Sequence, residues 1–191
     1  MSVPLPDNNE CATQLPVDRV SPRQGLLARL RIASKCPARP TASDMLWCAL
    51  GSLLGLGIVS FLAFHYHLPL LVAPFGATAA LIYGSCTSPF AQPRNVLGGH
   101  VISAFVGVLV HQLMGTTWFS VTLGVSLAIL LMFLTRTVHP PGGATALTAI
   151  LTGQGFRFIL EPVLLGTMVL LGVALLVHRC RGGGYYPTYW F

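Results

Sequence analysis

Four stretches of this chain are apolar over roughly the length that a helix needs to cross a lipid bilayer. About 20 mainly apolar residues span the hydrocarbon core. Such runs occur at residues 44–64, 95–113, 118–135 and 162–177, and the last extends back to about Phe158. Thr41, Ser43 or Asp44 can accept a hydrogen bond from the first amides of the leading run. The pattern predicts an all-α membrane protein with about four transmembrane helices.

Two further apolar stretches, residues 68–90 and 138–155, are interrupted by residues that break helices. The first contains Pro69, Pro74, Gly76, Gly84 and Pro89, and the second contains Pro140, Pro141, Gly142, Gly143, Gly153 and Gly155. Proline and glycine both disfavour a helix interior. We expect each stretch to form an extended segment followed by a short half-helix, at residues 75–83 and 143–151. Such broken elements occur at membrane depth only where protein or a water-filled cavity surrounds them.

The two interrupted stretches share a motif. Pro74-Phe75-Gly76-Ala77-Thr78-Ala79 and Pro141-Gly142-Gly143-Ala144-Thr145-Ala146 agree at five of six positions and lie 67 residues apart. Each copy stands between two of the apolar runs, which predicts an internal two-fold repeat of helix, broken segment and helix. Paired broken segments in corresponding places of two halves indicate a transport site.

The number of membrane crossings is left open by the sequence. Broken segments that re-enter from one side leave four spans, which the shortness of the second segment slightly favours. Segments that cross give six spans and inverted halves. Both counts are even, so both termini are expected on one side. Basic residues flank both ends of the apolar region, which predicts that this side is the cytosol or its equivalent.

Charge is scarce and unevenly placed. Charged residues make up 8% of the chain, against about 25% in soluble domains. Between Met45 and His178 they are Arg94, Arg136, Arg157 and Glu161. The net charge of +6 therefore belongs mostly to the ends, where it favours contact with anionic lipid over nucleic acid. Residues 1–42 are predicted to form a basic, disordered tail, with an organelle transit peptide as the alternative.

The run Thr137-Val138-His139-Pro140-Pro141-Gly142-Gly143-Ala144-Thr145-Ala146 resembles the signature of the HPP family of integral membrane proteins. The resemblance continues through Ser88-Pro89-Phe90-Ala91-Gln92-Pro93-Arg94-Asn95, Glu161-Pro162-Val163 and Tyr186-Pro187-Thr188-Tyr189-Trp190. It assigns residues 43–191 to an HPP-type transmembrane domain. It also implies four membrane spans and a transport function, with nitrite as the substrate proposed for plastid and cyanobacterial relatives.

The start of each half-helix is the first candidate for a binding site. A helix that begins inside the membrane leaves its first N–H groups without intrahelical partners, and such groups attract anions. The predicted substrate-binding residues for a small inorganic anion are Gly76, Ala77 and Thr78 in one half and Gly143, Ala144 and Thr145 in the other. We expect the two sets to face each other across a shared interior. The alternative is that these small residues serve close helix packing.

Two further side chains are predicted to belong to the site. His139 can donate to an anion or carry a proton near neutral pH, and its alternative role is a bond to a backbone carbonyl. Arg94 can attract the anion and is expected to point inward, because arginine facing lipid is costly. Its alternative is a structural pair with Glu161. His100 and His111 lie on one helix face, about three turns apart, and are expected to be structural.

These features favour a membrane transporter or channel for a small anion, such as nitrite. A non-transporting structural subunit is the alternative, and it would account for the small-residue stripes of Gly51 and Gly55 and of Gly99, Ser103 and Gly107. We expect these stripes to make contacts within the chain, with a homo-oligomer as the other interpretation. A membrane-embedded enzyme fits less well, because no GxSxG or HExxH motif is present. The five scattered cysteines form no CxxC pair, so neither a metal nor a cofactor is predicted.

Overall fold

The computed structural model describes residues 39–182 and 186–190. Within these ranges the regular secondary structure is helical, without a β-strand. The first 38 residues of the predicted tail, and with them the transit-peptide alternative, lie outside the described residues. The first helix begins at Ala42.

Six α-helices form the described part of the chain. They are α1 (Ala42–His65), α2 (Pro74–Gly84), α3 (Pro93–Met114), α4 (Trp118–Leu134), α5 (Pro140–Leu151) and α6 (Leu165–Arg181). A 3₁₀ turn, Pro89–Ala91, precedes α3, and a π-helical segment, Ile159–Leu164, leads into α6. By length and hydropathy α1, α3 and the segment Ile159–Arg181 are suited to cross a membrane, and α4 is apolar but shorter. The predicted helical membrane protein, with two short helices in the interrupted stretches, is confirmed.

Local sequence signals fix where these helices begin. Thr41 caps α1 in a capping box with Asp44, and each side chain accepts from the other residue's amide at 3.2 Å. Thr117 and Ser120 make the same arrangement at the start of α4. The short helices α2 and α5 both begin at proline, whose missing N–H costs nothing in a first helical turn. Of the three caps considered for α1, Thr41 is the one used.

Contacts between helix ends define one face of the bundle. Arg181, at the end of α6, pairs with Asp44 near the start of α1. The His178 Nε2 atom lies 2.7 Å from the carbonyl oxygen of Ile82, near the end of α2. The start of α1 and the ends of α2 and α6 therefore lie together. We call this end of the bundle the terminal face.

Further contacts place the remaining helices. The Tyr186 hydroxyl, beyond the end of α6, donates to the Ala91 carbonyl just before α3 (2.9 Å), so α3 starts at the terminal face. At the opposite end, which we call the far face, the Thr116 hydroxyl after α3 donates to the Ile150 carbonyl near the end of α5 (2.8 Å). The chain thus passes from one face to the other with each successive helix.

This alternation bears on the two topologies that the sequence left open. Helices α1 and α3 run away from the terminal face, and α2 runs toward it. In the second half, α4 and α6 run toward the terminal face, and α5 runs away from it. The two sets of three helices therefore run in opposite senses, as the arrangement with inverted halves predicts, and the number of membrane crossings stays a prediction. The origin of the two halves by duplication stays a prediction.

Small residues bring the helices into close contact. A Cβ atom added at Gly55 of α1 would overlap the Tyr83 hydroxyl of α2, which donates to the Leu170 carbonyl of α6 (3.0 Å). A Cβ atom at Gly107 of α3 would lie 2.7 Å from the Ala146 carbonyl oxygen of α5. Both stripes therefore make contacts within the chain, as expected.

Replacing Gly55 by alanine should destabilise the protein. The added methyl group would displace the Tyr83 hydroxyl from its buried acceptor, and overpacking of this kind costs about 1–3 kcal/mol of unfolding free energy. We expect a lower thermal unfolding midpoint for the Gly55→Ala variant purified in detergent.

Gly57→Ala is the matched control. Gly57 lies on the same helix but is exposed, and an added Cβ would meet no heavy atom within 4 Å. Its midpoint should equal or exceed that of the parent chain, because alanine favours a helix over glycine. Equal midpoints for the two variants would contradict the packing that we describe.

Candidate functional site

The half-helices α2 and α5 both lead to one buried imidazole on α3. The Thr78 hydroxyl of α2 lies 2.8 Å from Nε2 of His100, and the Thr145 hydroxyl of α5 lies 2.7 Å from Nδ1 of the same ring. All three side chains are fully buried. The prediction that the two motif copies face one another across a shared interior is confirmed for Thr78 and Thr145.

A second imidazole extends this arrangement. His139, which precedes α5 and is also fully buried, places Nε2 at 3.0 Å from the Thr78 hydroxyl. Its Nδ1 atom lies 2.8 Å from the carbonyl oxygen of Phe90. The rings of His100 and His139 have centroids 4.8 Å apart. Thr145, His100, Thr78 and His139 therefore form one continuous hydrogen-bonded chain, which we call the central chain.

The backbone contact between α3 and the start of α5 explains why the two rings are adjacent. A Cβ atom added at Gly142 would lie 2.8 Å from the Gly99 carbonyl oxygen. A Cβ atom at Gly99 would meet the Cβ of His139 at 2.5 Å. Only glycine at both positions lets the segment before α5 lie this close to α3. That approach brings His139 beside His100, the residue after Gly99.

The Phe90 carbonyl fixes the direction of every hydrogen bond in the central chain. A carbonyl only accepts, so Nδ1 of His139 carries a hydrogen and, in a neutral ring, Nε2 accepts from the Thr78 hydroxyl. Thr78 then accepts from Nε2–H of His100, whose Nδ1 accepts from the Thr145 hydroxyl. With both imidazoles neutral, each nitrogen has one partner of the correct kind.

Each threonine of the central chain also has a second acceptor in its own helix. The Thr78 hydroxyl lies 3.2 Å from the Pro74 carbonyl oxygen, and the Thr145 hydroxyl lies 3.4 Å from the Pro141 carbonyl oxygen. A helical threonine commonly bonds to the carbonyl four residues back. The shared spacing of proline and threonine in the two motif copies thus produces the same local geometry twice.

The glycines and alanines of the two motifs occupy different environments. Gly76, Ala77 and Ala144 are exposed on the outside of the described bundle, whereas Gly143 is buried. The Gly76 amide donates to the Ala73 carbonyl (3.2 Å), so the expectation that it is a donor without an intrahelical partner is wrong. A turn at Ala73 supplies that partner. No heavy atom lies within 4 Å of a Cβ built on Gly143, which leaves open space beside it.

The suggested pair of Arg94 and Glu161 does not form. The Arg94 guanidinium donates to the Thr135 carbonyl at the terminal face (3.1 Å) and remains partly exposed. Glu161 instead pairs with Arg157 (3.5 Å). The physical reason is that Glu161 precedes α6 at the far face, on the opposite side of the bundle. Arg94 lies about 1.7 turns, or about 9 Å, from His100 along α3.

His100 is the central residue that sequence reasoning assigned only a structural role. It shares a helix face with His111, but His111 lies at the far face, 3.2 Å from the Thr116 hydroxyl. The signal in the sequence was the position of His100 directly after Gly98-Gly99, in the small-residue stripe of α3. A polar side chain beside a stripe that admits close backbone approach is enclosed by the partner helix, which here is α5.

The chemistry available at this centre is that of hydroxyls, imidazoles and helix N-termini. Within the described ranges, no group of three or more His, Cys, Asp or Glu side chains is placed to hold a metal ion. Both half-helices direct their N-terminal ends, where helix dipoles are positive, toward the central chain. The centre can therefore interact with an anion, a proton or both.

Comparison with known proteins places the sequence in a family of membrane proteins. Residues 37–187 match the sequence profile described as "HPP, transmembrane region". Two transmembrane proteins of Dictyostelium discoideum are each 36% identical to the chain in a 171-residue alignment that covers 82% of the chain. The match covers 54% of one relative and 59% of the other, so the chain spans little more than half the length of these relatives. No solved structure matches the chain significantly.

The central chain predicts the tautomers of its two histidines. At mildly alkaline pH, His139 should carry its hydrogen on Nδ1 and His100 on Nε2, because the Phe90 carbonyl can only accept a hydrogen bond and thereby sets the direction of the central chain. Nitrogen NMR of ¹⁵N-histidine protein distinguishes the two tautomers, and His100→Gln and His139→Gln variants assign the signals.

His178 provides an internal reference for this measurement. Its Nε2 lies 2.7 Å from the Ile82 carbonyl, so it should show the Nε2–H tautomer. If His139 carries its hydrogen only on Nε2, the direction that we assign to the central chain is wrong.

Proposed function

We propose that this chain, which belongs to the HPP transmembrane family, is a transporter or channel for a small monovalent anion, with nitrite as the first substrate to test. The observation that carries the proposal is the meeting of two half-helices inside the bundle. Helices α2 and α5 have 11 and 12 residues, which at about 1.5 Å per residue is half a bilayer. Their second turns, at Thr78 and Thr145, meet at His100 from opposite directions.

The distribution of charge supports an anion over a cation. Two helix N-termini bring two positive dipole ends to the central chain. The hydroxyls of Thr78 and Thr145 and the imidazole of His139 can donate to an anion once the hydrogen bonds of the central chain open. Glu161, the one acidic residue between Met45 and His178, is engaged by Arg157 at the far face. A small oxyanion would find hydrogen-bond donors at the centre and no fixed negative charge beside them.

A cavity at the far face offers a route toward this centre. It has a volume of about 320 Å³ and lies between the segment after α1 and the end of α5. Thr148, Thr152 and Gln154 form the polar part of its lining. Thr148 lies one helical turn beyond Thr145, so hydroxyl groups follow α5 from the cavity to the central chain. We propose that the anion approaches along this line of hydroxyls.

The orientation that we propose in the membrane rests on the positions of the basic residues. Both ends of the transmembrane region lie at the terminal face, where Asp44 pairs with Arg181. Arginines precede α1 and close α6 in the sequence. Because basic flanks stay on the cytosolic side, we assign the terminal face to the cytosol or its equivalent and the far face to the other compartment.

A non-transporting structural subunit is the second candidate. The observation that favours it is the completeness of the buried network, since every buried side-chain nitrogen or oxygen in the described ranges has a hydrogen-bond partner. Under the transport proposal the same network is an occluded state, which has to open during a transport cycle. Anion uptake by the purified protein separates these two candidates.

Replacing Gly143 by valine should block transport without disrupting packing. The new side chain would enter the open space beside Gly143 at the start of α5 and keep an anion away from the helix N-terminus. We expect nitrite uptake into proteoliposomes to fall about tenfold or more, which corresponds to roughly 1.4 kcal/mol of lost stabilisation.

Gly172→Val on α6 is the control, because an added Cβ there also meets no heavy atom within 4 Å but lies on an exposed face. Uptake by this variant should match that of the parent chain. Parent-level uptake by Gly143→Val would remove the helix N-terminus from the proposed site. No uptake by the parent chain, for nitrite, nitrate, formate and bicarbonate alike, would favour the structural subunit.

A further inference from the structure

We infer that His100 and His139 together form a proton-binding site that takes up one proton with each anion, which makes the protein a proton–anion symporter. This inference rests on the proposed anion transport and names its coupling ion. It assigns a function to His100. It also gives Thr78 and Thr145 a role beyond that of hydrogen-bond donors to the anion.

The geometry accepts one added proton without leaving a polar group unpaired. If the proton binds Nδ1 of His100, that N–H donates to the Thr145 hydroxyl oxygen. The Thr145 hydroxyl hydrogen then turns to the Pro141 carbonyl oxygen, 3.4 Å away. The hydrogen bonds are exchanged rather than lost, and the central chain gains one positive charge. Thr145 can change from donor to acceptor toward His100 because a second acceptor, the Pro141 carbonyl, lies within reach of its hydroxyl.

The same proton can move between the two rings. Nε2 of His100 gives its hydrogen to the Thr78 oxygen while the Thr78 hydroxyl gives its own hydrogen to Nε2 of His139. One N–H bond and one O–H bond break, and one of each forms, so the charge moves from one imidazole to the other. After this transfer the Thr78 hydroxyl donates back to Nε2 of His100. If the proton instead binds Nε2 of His139 directly, Thr78 accepts from both rings and donates to the Pro74 carbonyl, 3.2 Å away.

The rings cannot easily hold two protons. Their centroids are 4.8 Å apart, and like charges at such a distance in a buried site disfavour double protonation. Interacting groups of this kind take up protons as a pair rather than as independent residues. We therefore assign a stoichiometry of one proton to the pair.

The surroundings of the pair explain why the proton needs an anion. The contacts to the two rings come from Thr78 and the Phe75 ring of α2, Thr145 of α5 and the Phe90 carbonyl. In the described ranges, the titratable group that contacts each imidazole is the other imidazole, and no charged side chain hydrogen-bonds to either. Arg94 is the charged residue of α3, and it is engaged at Thr135.

A buried positive charge without a fixed counter-ion is costly. An anion bound at the N-terminal ends of α2 and α5 supplies the missing negative charge, and the protonated pair in turn attracts the anion. Each ligand therefore raises the affinity for the other by the same factor. This reciprocity is the physical basis of the proposed symport.

The first test needs no transport. ¹⁵N-histidine NMR of the parent protein is recorded against pH, with and without nitrite. We expect the pair to take up one proton in total, and nitrite to move the midpoint upward by about one pH unit, which is a tenfold linkage. Uptake of two protons, or a midpoint that nitrite does not move, would overturn the inference.

The Thr78 hydroxyl allows a matched pair of variants in the same experiment. Thr78→Ser keeps the hydroxyl between the rings, and Thr78→Val removes it at nearly constant volume. The serine variant should titrate as a coupled pair like the parent chain, whereas in the valine variant the proton should stay on one ring. Identical titrations of the two variants would count against the relay through Thr78.

The second test measures coupling in proteoliposomes whose membrane potential is held fixed with potassium and valinomycin. Nitrate is used beside nitrite, because nitric acid is too strong for nitrate itself to carry protons across the lipid. Inward anion flux should rise as the external pH falls and should bring protons with it. His100→Gln should abolish the accompanying proton flux, while His65→Gln, an exposed residue at the end of α1, should not.

The outcomes separate the two proposals. Anion uptake without accompanying protons, and without an effect of His100→Gln, removes the proton coupling and leaves anion transport standing. Absence of uptake for every anion removes the proposed transport and the coupling with it. Proton-coupled uptake that His100→Gln abolishes supports both.

Discussion

The arrangement of the bundle depends on one imidazole that is hydrogen-bonded to two broken helices at once. A helix that begins inside a membrane protein has no water to pair its polar groups. His100 has two ring nitrogens on opposite sides, and one is bonded to Thr78 of α2 and the other to Thr145 of α5. Two half-helices that arrive from opposite faces therefore meet at a single point of α3. The width of that ring sets the distance between Thr78 of α2 and Thr145 of α5.

Close backbone approach is the condition for this meeting. The ring can reach both threonines only if α3 lies directly against the start of α5, and Gly99 and Gly142 allow that contact. Further along α3, Gly107 allows the same close backbone contact with Ala146 of α5. Small residues in a membrane helix usually indicate helix association, and here they serve that role and position the polar centre as well. Packing and site formation are two consequences of the same residues.

The sequence predicted those features that arise from local or periodic chemistry. The apolar runs and the Pro-x-Gly-Ala-Thr-Ala motifs located the helices and the breaks, and the motif symmetry correctly predicted that Thr78 and Thr145 face each other. The role of His100 was missed because it depends on which helix lies opposite, and spacing along α3 does not contain that information. The pairing of Arg94 with Glu161 failed for a related reason. Opposite charges attract only where the fold brings them together, and the alternation of the helices puts these two at opposite faces.

A centre in which every polar group is paired is stable, and function requires that its hydrogen bonds exchange at low cost. The carbonyls of Pro74 and Pro141 meet this requirement, because each gives a threonine hydroxyl a second place to donate. The number of hydrogen bonds is then nearly the same before and after a proton arrives, and the main cost is the buried charge itself. A carboxylate beside the rings would neutralise that charge permanently and would leave an anion no role. No such carboxylate contacts the rings in the described ranges, so under the proposed symport a mobile anion balances the charge, and this balance links the two ions physically.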